Sequence, residues 1–118
     1  MSIQGHDRLV PMDVLDLVLR ERERQLEKWG DQSHPDGTGR GVEWFAAPVP
    51  VQHVSNAWMR EYAIGRNKAT PEDGDNWFAI LAEELFEAGC ETSPRQLEHE
   101  LVQVMAVCAA WIRDIRRR

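Results

Sequence analysis

The fold is decided by the stretch Trp77-Phe78-Ala79-Ile80-Leu81-Ala82-Glu83-Glu84-Leu85-Phe86-Glu87, which combines an apolar helical pattern with three acids. A second apolar stretch follows after a short break: Leu97-Glu98-His99-Glu100-Leu101-Val102-Gln103-Val104-Met105-Ala106-Val107. Apolar residues recur at helical spacing in both stretches, which predicts two helices. A short connection between them favours antiparallel packing.

Some of these acids stand beside residues that are expected to be buried. Glu84 and Glu87 are three positions apart, so they point in similar directions on a helix, and Glu100 lies among apolar residues on the other helix. Burying a carboxylate costs several kcal/mol unless it is paired or bound to a metal. A hard divalent cation shared by these carboxylates is therefore the favoured interpretation. The alternative is a solvated helix face, which fits Glu83 well and Glu100 poorly.

Helical periodicity also predicts an apolar stripe on each of these two helices. On the first helix the predicted apolar stripe comprises Trp77, Phe78, Leu81, Leu85 and Ala88. On the second it comprises Leu97, Leu101, Val104, Met105, Cys108, Ile112 and Ile115. The apolar surface of the second helix exceeds what one neighbour can cover, which predicts burial against a partner subunit.

The remaining pattern predicts a single all-α domain over residues 1–118, built as a four-helix bundle. Helices are expected over 11–29, 51–66, 76–89 and 94–116. The first closes at Gly30, and its expected inner face comprises Leu15, Val18, Leu19 and Leu26. Asp75 is the candidate cap of the third helix, and Ser93-Pro94-Arg95-Gln96 reads as a capping box that opens the fourth.

Composition narrows the class of protein. The chain has 118 residues, of which 42% are hydrophobic, so it can bury one core and is not expected to be disordered. A formal net charge of −6 argues against a nucleic-acid polymer as partner, and no apolar run approaches the roughly 18 residues of a membrane span. Cys90 and Cys108 lack metal-pair spacing, and no signal peptide is recognisable, so a cytoplasmic location is expected. The arginines at the C-terminal end are expected to complement the dipole of the last helix.

Two motifs together resemble a known family. The first motif consists of Glu84-x-x-Glu87, twelve intervening residues and Glu100-x-x-Gln103. It resembles the E-x-x-E…E-x-x-D signature of the MazG-like, all-α nucleoside triphosphate pyrophosphohydrolases. The segment 21–35 is similar to the R-x-x-Q-x-x-K-W-G-x-Q-x-H-P stretch of small phage and actinobacterial members. The segment 100–107 also resembles the corresponding sequence of that subgroup. Residues 40–70 match no part of the family pattern.

The resemblance implies a Mg²⁺-dependent enzyme, with Mn²⁺ as a possible substitute, that cleaves nucleoside or deoxynucleoside triphosphates to monophosphate and pyrophosphate. It implies a homodimer or homotetramer and a role in nucleotide-pool house-cleaning. The candidate metal ligands are Glu84, Glu87, Glu100 and Gln103. The candidate catalytic carboxylates are Glu83, Glu84 and Glu87, of which Glu83 or Glu87 would accept the proton of the attacking water. The candidate substrate-binding residues are Gln25, Lys28, Trp29 and Gln32.

Several of these residues also have a simpler interpretation. Gln103 stands where the family has Asp: its amide oxygen can bind Mg²⁺ without adding charge, or it can be a structural residue that bonds across the bundle. Trp29 can stack on a nucleobase or plug the end of the bundle, and Lys28 can pair with phosphate or be solvated. His34 is expected to be an ordinary loop residue. The change at position 103 also supports another class of function, a helical nucleotide-binding or assembly module without turnover.

Overall fold

Three helices make up most of the chain that the structure describes: α1 (Met12–Trp29), α2 (Trp77–Cys90) and α3 (Pro94–Arg116). The computed structural model describes residues 9–39, 61 and 76–118, and these residues contain no strand. The all-α prediction is confirmed for them, and the helices expected over 11–29, 76–89 and 94–116 are confirmed to within one residue at each end. The helix expected over 51–66 lies outside the described residues except for Glu61, so the four-helix bundle stays a prediction.

Local sequence accounts for most helix ends, with one exception. α1 ends at Gly30, whose φ of 70° suits glycine and whose N–H donates to the Leu26 carbonyl at 2.8 Å. α3 begins with Pro94, a residue without an N–H at a position where the N–H would have no helical partner. The predicted capping box at Ser93 is wrong, because the Ser93 side chain makes no capping hydrogen bond. Its backbone carbonyl instead accepts the Leu97 N–H at 2.9 Å.

The start of α2 is capped by the loop that follows α1. The carbonyls of Pro35 and Asp36 accept the first two amide N–H groups of the helix at 2.9 and 3.0 Å. The Asn76 side-chain oxygen accepts the third amide N–H, that of Ala79, at 2.8 Å. These are groups that a helix leaves unpaired at its own start, so the loop is joined firmly to α2. The predicted cap, Asp75, lies outside the described residues.

α2 and α3 are antiparallel, as their short connection predicted. Trp77, at the start of α2, donates its indole N–H to Asp114, near the end of α3, at 2.8 Å. Only residues 91–93 separate the two helices. α1 packs on α3 and runs in the same direction, because its middle lies beside Gln103 and its end lies beside Arg113.

Asp114 is a polar centre within the core and is only 3% exposed. Its carboxylate accepts the Trp77 indole N–H and, at 3.1 Å, the backbone N–H of His34. Arg117 and Arg118 place guanidinium nitrogens 3.4 and 3.7 Å from it. The Trp77 bond, reinforced by the other donors, holds the pKa of Asp114 well below its usual range. One buried acid therefore joins the loop after α1 to both α2 and α3.

The arginines at the end of α3 bind that same loop. Arg113 and Arg117 contact the Asp31 carboxylate at 3.1 and 2.7 Å. Arg118 donates to Asp36 at 2.8 Å, and this pairing helps to lower the pKa of Asp36 to about 2. These side chains therefore have specific partners besides the helix dipole that the sequence suggested.

The residues of α1 and α3 that are buried within the single chain are not the members of the predicted apolar stripes. In α3 the buried residues are Ala106, Val107, Ala110 and Asp114, whereas four members of the predicted stripe are exposed: Leu101, Met105, Ile112 and Ile115. In α1 the buried residues are Glu21 and Gln25, whereas three members of the predicted inner face are exposed: Leu15, Leu19 and Leu26. The predicted inner face of α1 is wrong, because alanines and paired polar groups form the contact between the helices. The α3 stripe faces outward in the single chain, and its predicted burial against a partner subunit stays a prediction.

The predicted stripe of α2 is closer to the observed core. Trp77 and Ala88 are buried as expected, but Leu85 is 50% exposed. Ala79 and Ala82 are buried in its place. Small side chains let neighbouring backbones approach closely, which allows alanine to line the contact while leucine faces outward.

Candidate metal centre

The carboxylates of Glu84, Glu87 and Glu100 converge, as their spacing predicted. Each offers an oxygen atom, and these atoms all lie within 4.8 Å of one another. Glu84 and Glu87 share a face because they are one turn apart on α2, and the antiparallel packing of α3 brings Glu100 beside them. All three residues are half-buried.

Burial and mutual repulsion set the electrostatics of the cluster. Burial raises the pKa of Glu84 to about 7, and the charges of Glu87, Glu100 and Glu83 add to the shift. Burial and the Glu87 charge also raise the pKa of Glu100, against a smaller opposing effect of His99. Converging carboxylate oxygens in a partly desolvated site are the ligands that a hard divalent cation such as Mg²⁺ prefers, so these residues fit that ion.

Gln103, the fourth candidate metal ligand, lies next to α1. Its side chain is half-buried, lines the same cavity as Glu84, and lies against the Glu21 carboxylate. That contact between α1 and α3 is what the structural interpretation of Gln103 predicted, a polar side chain that hydrogen-bonds to a neighbouring helix. Its role as a metal ligand stays a prediction.

A cavity of about 310 Å³ opens beside Glu84. Three of the four candidate substrate-binding residues, Gln25, Trp29 and Gln32, line it together with Glu84 and Gln103. Its volume is at the lower end of the range for small-molecule sites. The fourth candidate, Lys28, is not among the lining residues; its ammonium lies over the Trp29 ring, 4.5 Å from the centroid.

The α1 wall of the cavity is organised around a buried acid. Glu21 is 8% exposed, and its carboxylate accepts hydrogen bonds from Nε and Nη2 of Arg24 and, at 3.4 Å, from Gln25. Arg22 donates in turn to the Gln25 amide oxygen at 2.8 Å. The Arg24 guanidinium, with a smaller contribution from Gln103, holds the pKa of Glu21 below its usual value. The polar groups of this wall therefore have defined orientations.

Two ionisable residues that line the cavity were not predicted from the sequence. His34, expected to be an ordinary loop residue, packs edge-on against Trp77 with ring centroids 4.8 Å apart and lines the cavity. Its Nε2 atom is buried and makes no hydrogen bond to another described residue. Arg24 also lines the cavity; its spacing of three from Glu21 was the one local signal of a pairing. The only sequence signal for His34 was its place in the motif segment 21–35, because its position depends on contacts with α2 and α3.

Comparison of the chain with family models, curated proteins and solved structures finds no match. None of the helices among the described residues is long and apolar enough to cross a membrane.

Proposed function

We propose that this protein is a Mg²⁺-dependent pyrophosphohydrolase that converts nucleoside or deoxynucleoside triphosphates to monophosphates and pyrophosphate, with Mn²⁺ as a possible substitute. The observation that carries the proposal is the convergence of Glu84, Glu87 and Glu100 beside a cavity lined by Gln25 and Trp29. The resemblance of the two sequence motifs to the MazG-like enzymes supports the same activity.

The acidic cluster would hold the cation. Glu84, Glu87 and Glu100 would supply charged oxygens, and Gln103 an uncharged one. When bound, Mg²⁺ neutralises charge on phosphate oxygens and favours attack by water. Glu83, half-buried beside Glu84 on α2, or Glu87 would accept the proton that the attacking water releases.

The other end of the cavity would receive the nucleoside. Trp29 is 52% exposed and offers a flat surface on which a base can stack. Gln25 and Gln32 line the same space, and an amide can both donate and accept hydrogen bonds at the edge of a base. Lys28 would contribute to substrate binding less directly, since its ammonium lies over the Trp29 ring and does not line the cavity.

The proposal extends to the whole chain. We expect residues 1–118 to form one MazG-like domain, a four-helix bundle to which 51–66 contributes the remaining helix. We also expect a cytoplasmic homodimer or homotetramer whose partner is the nucleotide, with no nucleic-acid polymer or membrane as partner.

The decisive experiment measures pyrophosphate release from a panel of ribo- and deoxyribonucleoside triphosphates with Mg²⁺ or Mn²⁺. We expect activity in the wild type and a loss on the order of 100-fold or more in Glu84→Gln and Glu100→Gln, because each removes a charged ligand. Glu98→Gln is the matched control, since Glu98 is exposed two residues before Glu100. A folded wild type that releases pyrophosphate from no nucleotide with either metal overturns the proposal.

A helical module that binds nucleotide without turnover is the second candidate. It is favoured by Gln103, which replaces an acid and lies against Glu21. Calorimetric titration with the same nucleotides separates the two candidates. Binding without pyrophosphate release identifies the module, whereas release identifies the enzyme.

A further inference from the structure

We propose that Arg24 binds the phosphate chain of the substrate, opposite the acidic cluster. This inference rests on the proposed function and identifies the protein group that would receive the phosphate charge. The sequence motif had pointed to Lys28 for that task.

Arg24 is the only cationic side chain among the described residues that line the cavity beside Glu84. It approaches from α1, whereas Glu84 approaches from α2, and the two interact electrostatically. A ligand in the cavity would therefore meet the Glu84 carboxylate, one member of the cluster, from α2 and the Arg24 guanidinium from α1. An anionic group that carries a cation toward the carboxylates matches this arrangement.

The orientation of Arg24 suits a ligand-binding group. Its Nε and Nη2 atoms donate to the buried Glu21 carboxylate, which fixes the plane of the guanidinium. Nη1 makes no hydrogen bond to another residue in the described part of the chain, and the side chain is 53% exposed. Arg24 thus keeps donors for a ligand while Glu21 restricts its motion, and a guanidinium fork matches phosphate oxygens in geometry.

Charge balance requires such a residue. Three ionised carboxylates already exceed the two positive charges of one divalent cation, before the phosphates are counted. A triphosphate therefore needs further positive charge from the protein. The described lining of the cavity supplies it through Arg24 alone.

The test compares Arg24→Gln and Arg24→Lys with Arg20→Gln. Arg20 lies one turn earlier on α1, pairs with Asp16 on the surface, and does not line this cavity. We expect Arg24→Gln to raise KM for the triphosphate about tenfold or more and to weaken calorimetric binding of inorganic pyrophosphate with Mg²⁺ by a similar factor. Arg24→Lys should be intermediate because it keeps the charge and loses the fork. Arg20→Gln should match the wild type.

Two further measurements separate the possible failures. Mg²⁺ affinity without phosphate should change less than about twofold in Arg24→Gln, since Arg24 is not a metal ligand. If that variant unfolds because Glu21 loses its partner, Glu21→Gln/Arg24→Gln removes both charges and takes its place. A folded variant that keeps wild-type KM and pyrophosphate affinity overturns the role of Arg24 while the enzyme stands. A wild type without pyrophosphohydrolase activity overturns the proposed function itself.

Discussion

The environment of Glu84 differs from that of an ordinary surface glutamate. It is half-buried, and the charges of Glu87, Glu100 and Glu83 oppose its ionisation. The sequence predicted the convergence, because residues one turn apart share a helix face. It did not predict Arg24, which lies across the cavity and interacts with Glu84. Among the described residues, the site therefore combines crowded acids with the Arg24 guanidinium.

Without metal, the protein should become less stable as pH rises from about pH 5 to about pH 8. The folded-state pKa of Glu84 is about 7, above its ordinary value of 4.5, so the folded protein retains a proton that the unfolded chain releases. The contribution of Glu84 to the free energy of unfolding is fully present below its unfolded-state pKa of 4.5. It is lost as pH rises through its folded-state pKa of about 7. Its size is at most about 3 kcal/mol, because solvent screens a half-buried group. Urea unfolding in the presence of a chelator measures it.

Two controls identify Glu84 and the cluster as the cause. Glu84→Gln should remove most of the pH dependence, and Mg²⁺ should restore stability to the wild type near pH 8, because it binds the folded state. Asp36, whose pKa is about 2, does not titrate in this window. If Glu84→Gln lost as much stability between pH 5 and pH 8 as the wild type does, Glu84 would not be the cause of the pH dependence.

The junction between the loop 31–39 and α2 is the feature that matters most at the scale of elements. The loop caps α2 through the Pro35 and Asp36 carbonyls, and the same connection holds Gln32 and His34 at the cavity. Gly37 makes this close approach possible. It has a φ of 74°, and a Cβ there would lie 2.1 Å from the Asn76 side-chain oxygen.

Gly37→Ala should therefore lower the free energy of unfolding by about 2 to 4 kcal/mol, because it adds a collision to the strain of a positive φ. Gly39→Ala is the matched control: its φ is 78°, but nothing lies within 4 Å of the added Cβ. We expect that control to lose about 1 kcal/mol. Urea denaturation compares the two variants, and equal losses would show that contact with Asn76 is unimportant.

At the scale of the whole molecule, the outstanding feature is an apolar stripe on the outer side of α3. Its members are Leu101, Met105, Cys108, Ile112 and Ile115; all are exposed except Cys108, which is half-buried. They are spaced by four, three, four and three residues, as in a coiled-coil seam. A second copy of the chain is the partner that we propose for this stripe.

Light scattering coupled to size exclusion should accordingly give the mass of a dimer or a larger assembly. Leu101→Gln/Ile112→Gln should shift the protein toward monomer by removing apolar surface from the contact. Leu85→Gln should not, although Leu85 on α2 is as exposed as Ile112, at 50% each. A monomeric wild type at working concentration would argue against self-association through α3.

The sequence by itself determined the helices of the described residues and the convergence of Glu84, Glu87 and Glu100. Both follow from local spacing, helix-terminal residues and a short connection, which act within a few turns of chain. Only the tertiary structure decided which helix faces are buried and what surrounds the cluster. Asp114 binds the backbone of His34, 80 residues earlier, and Arg24 reaches the cavity because α1 packs on α3. Such contacts have no local signal in the sequence, since they depend on how closely alanine-lined helices approach each other. Apolar periodicity predicts an apolar helix face, but it does not predict which element or partner packs against that face.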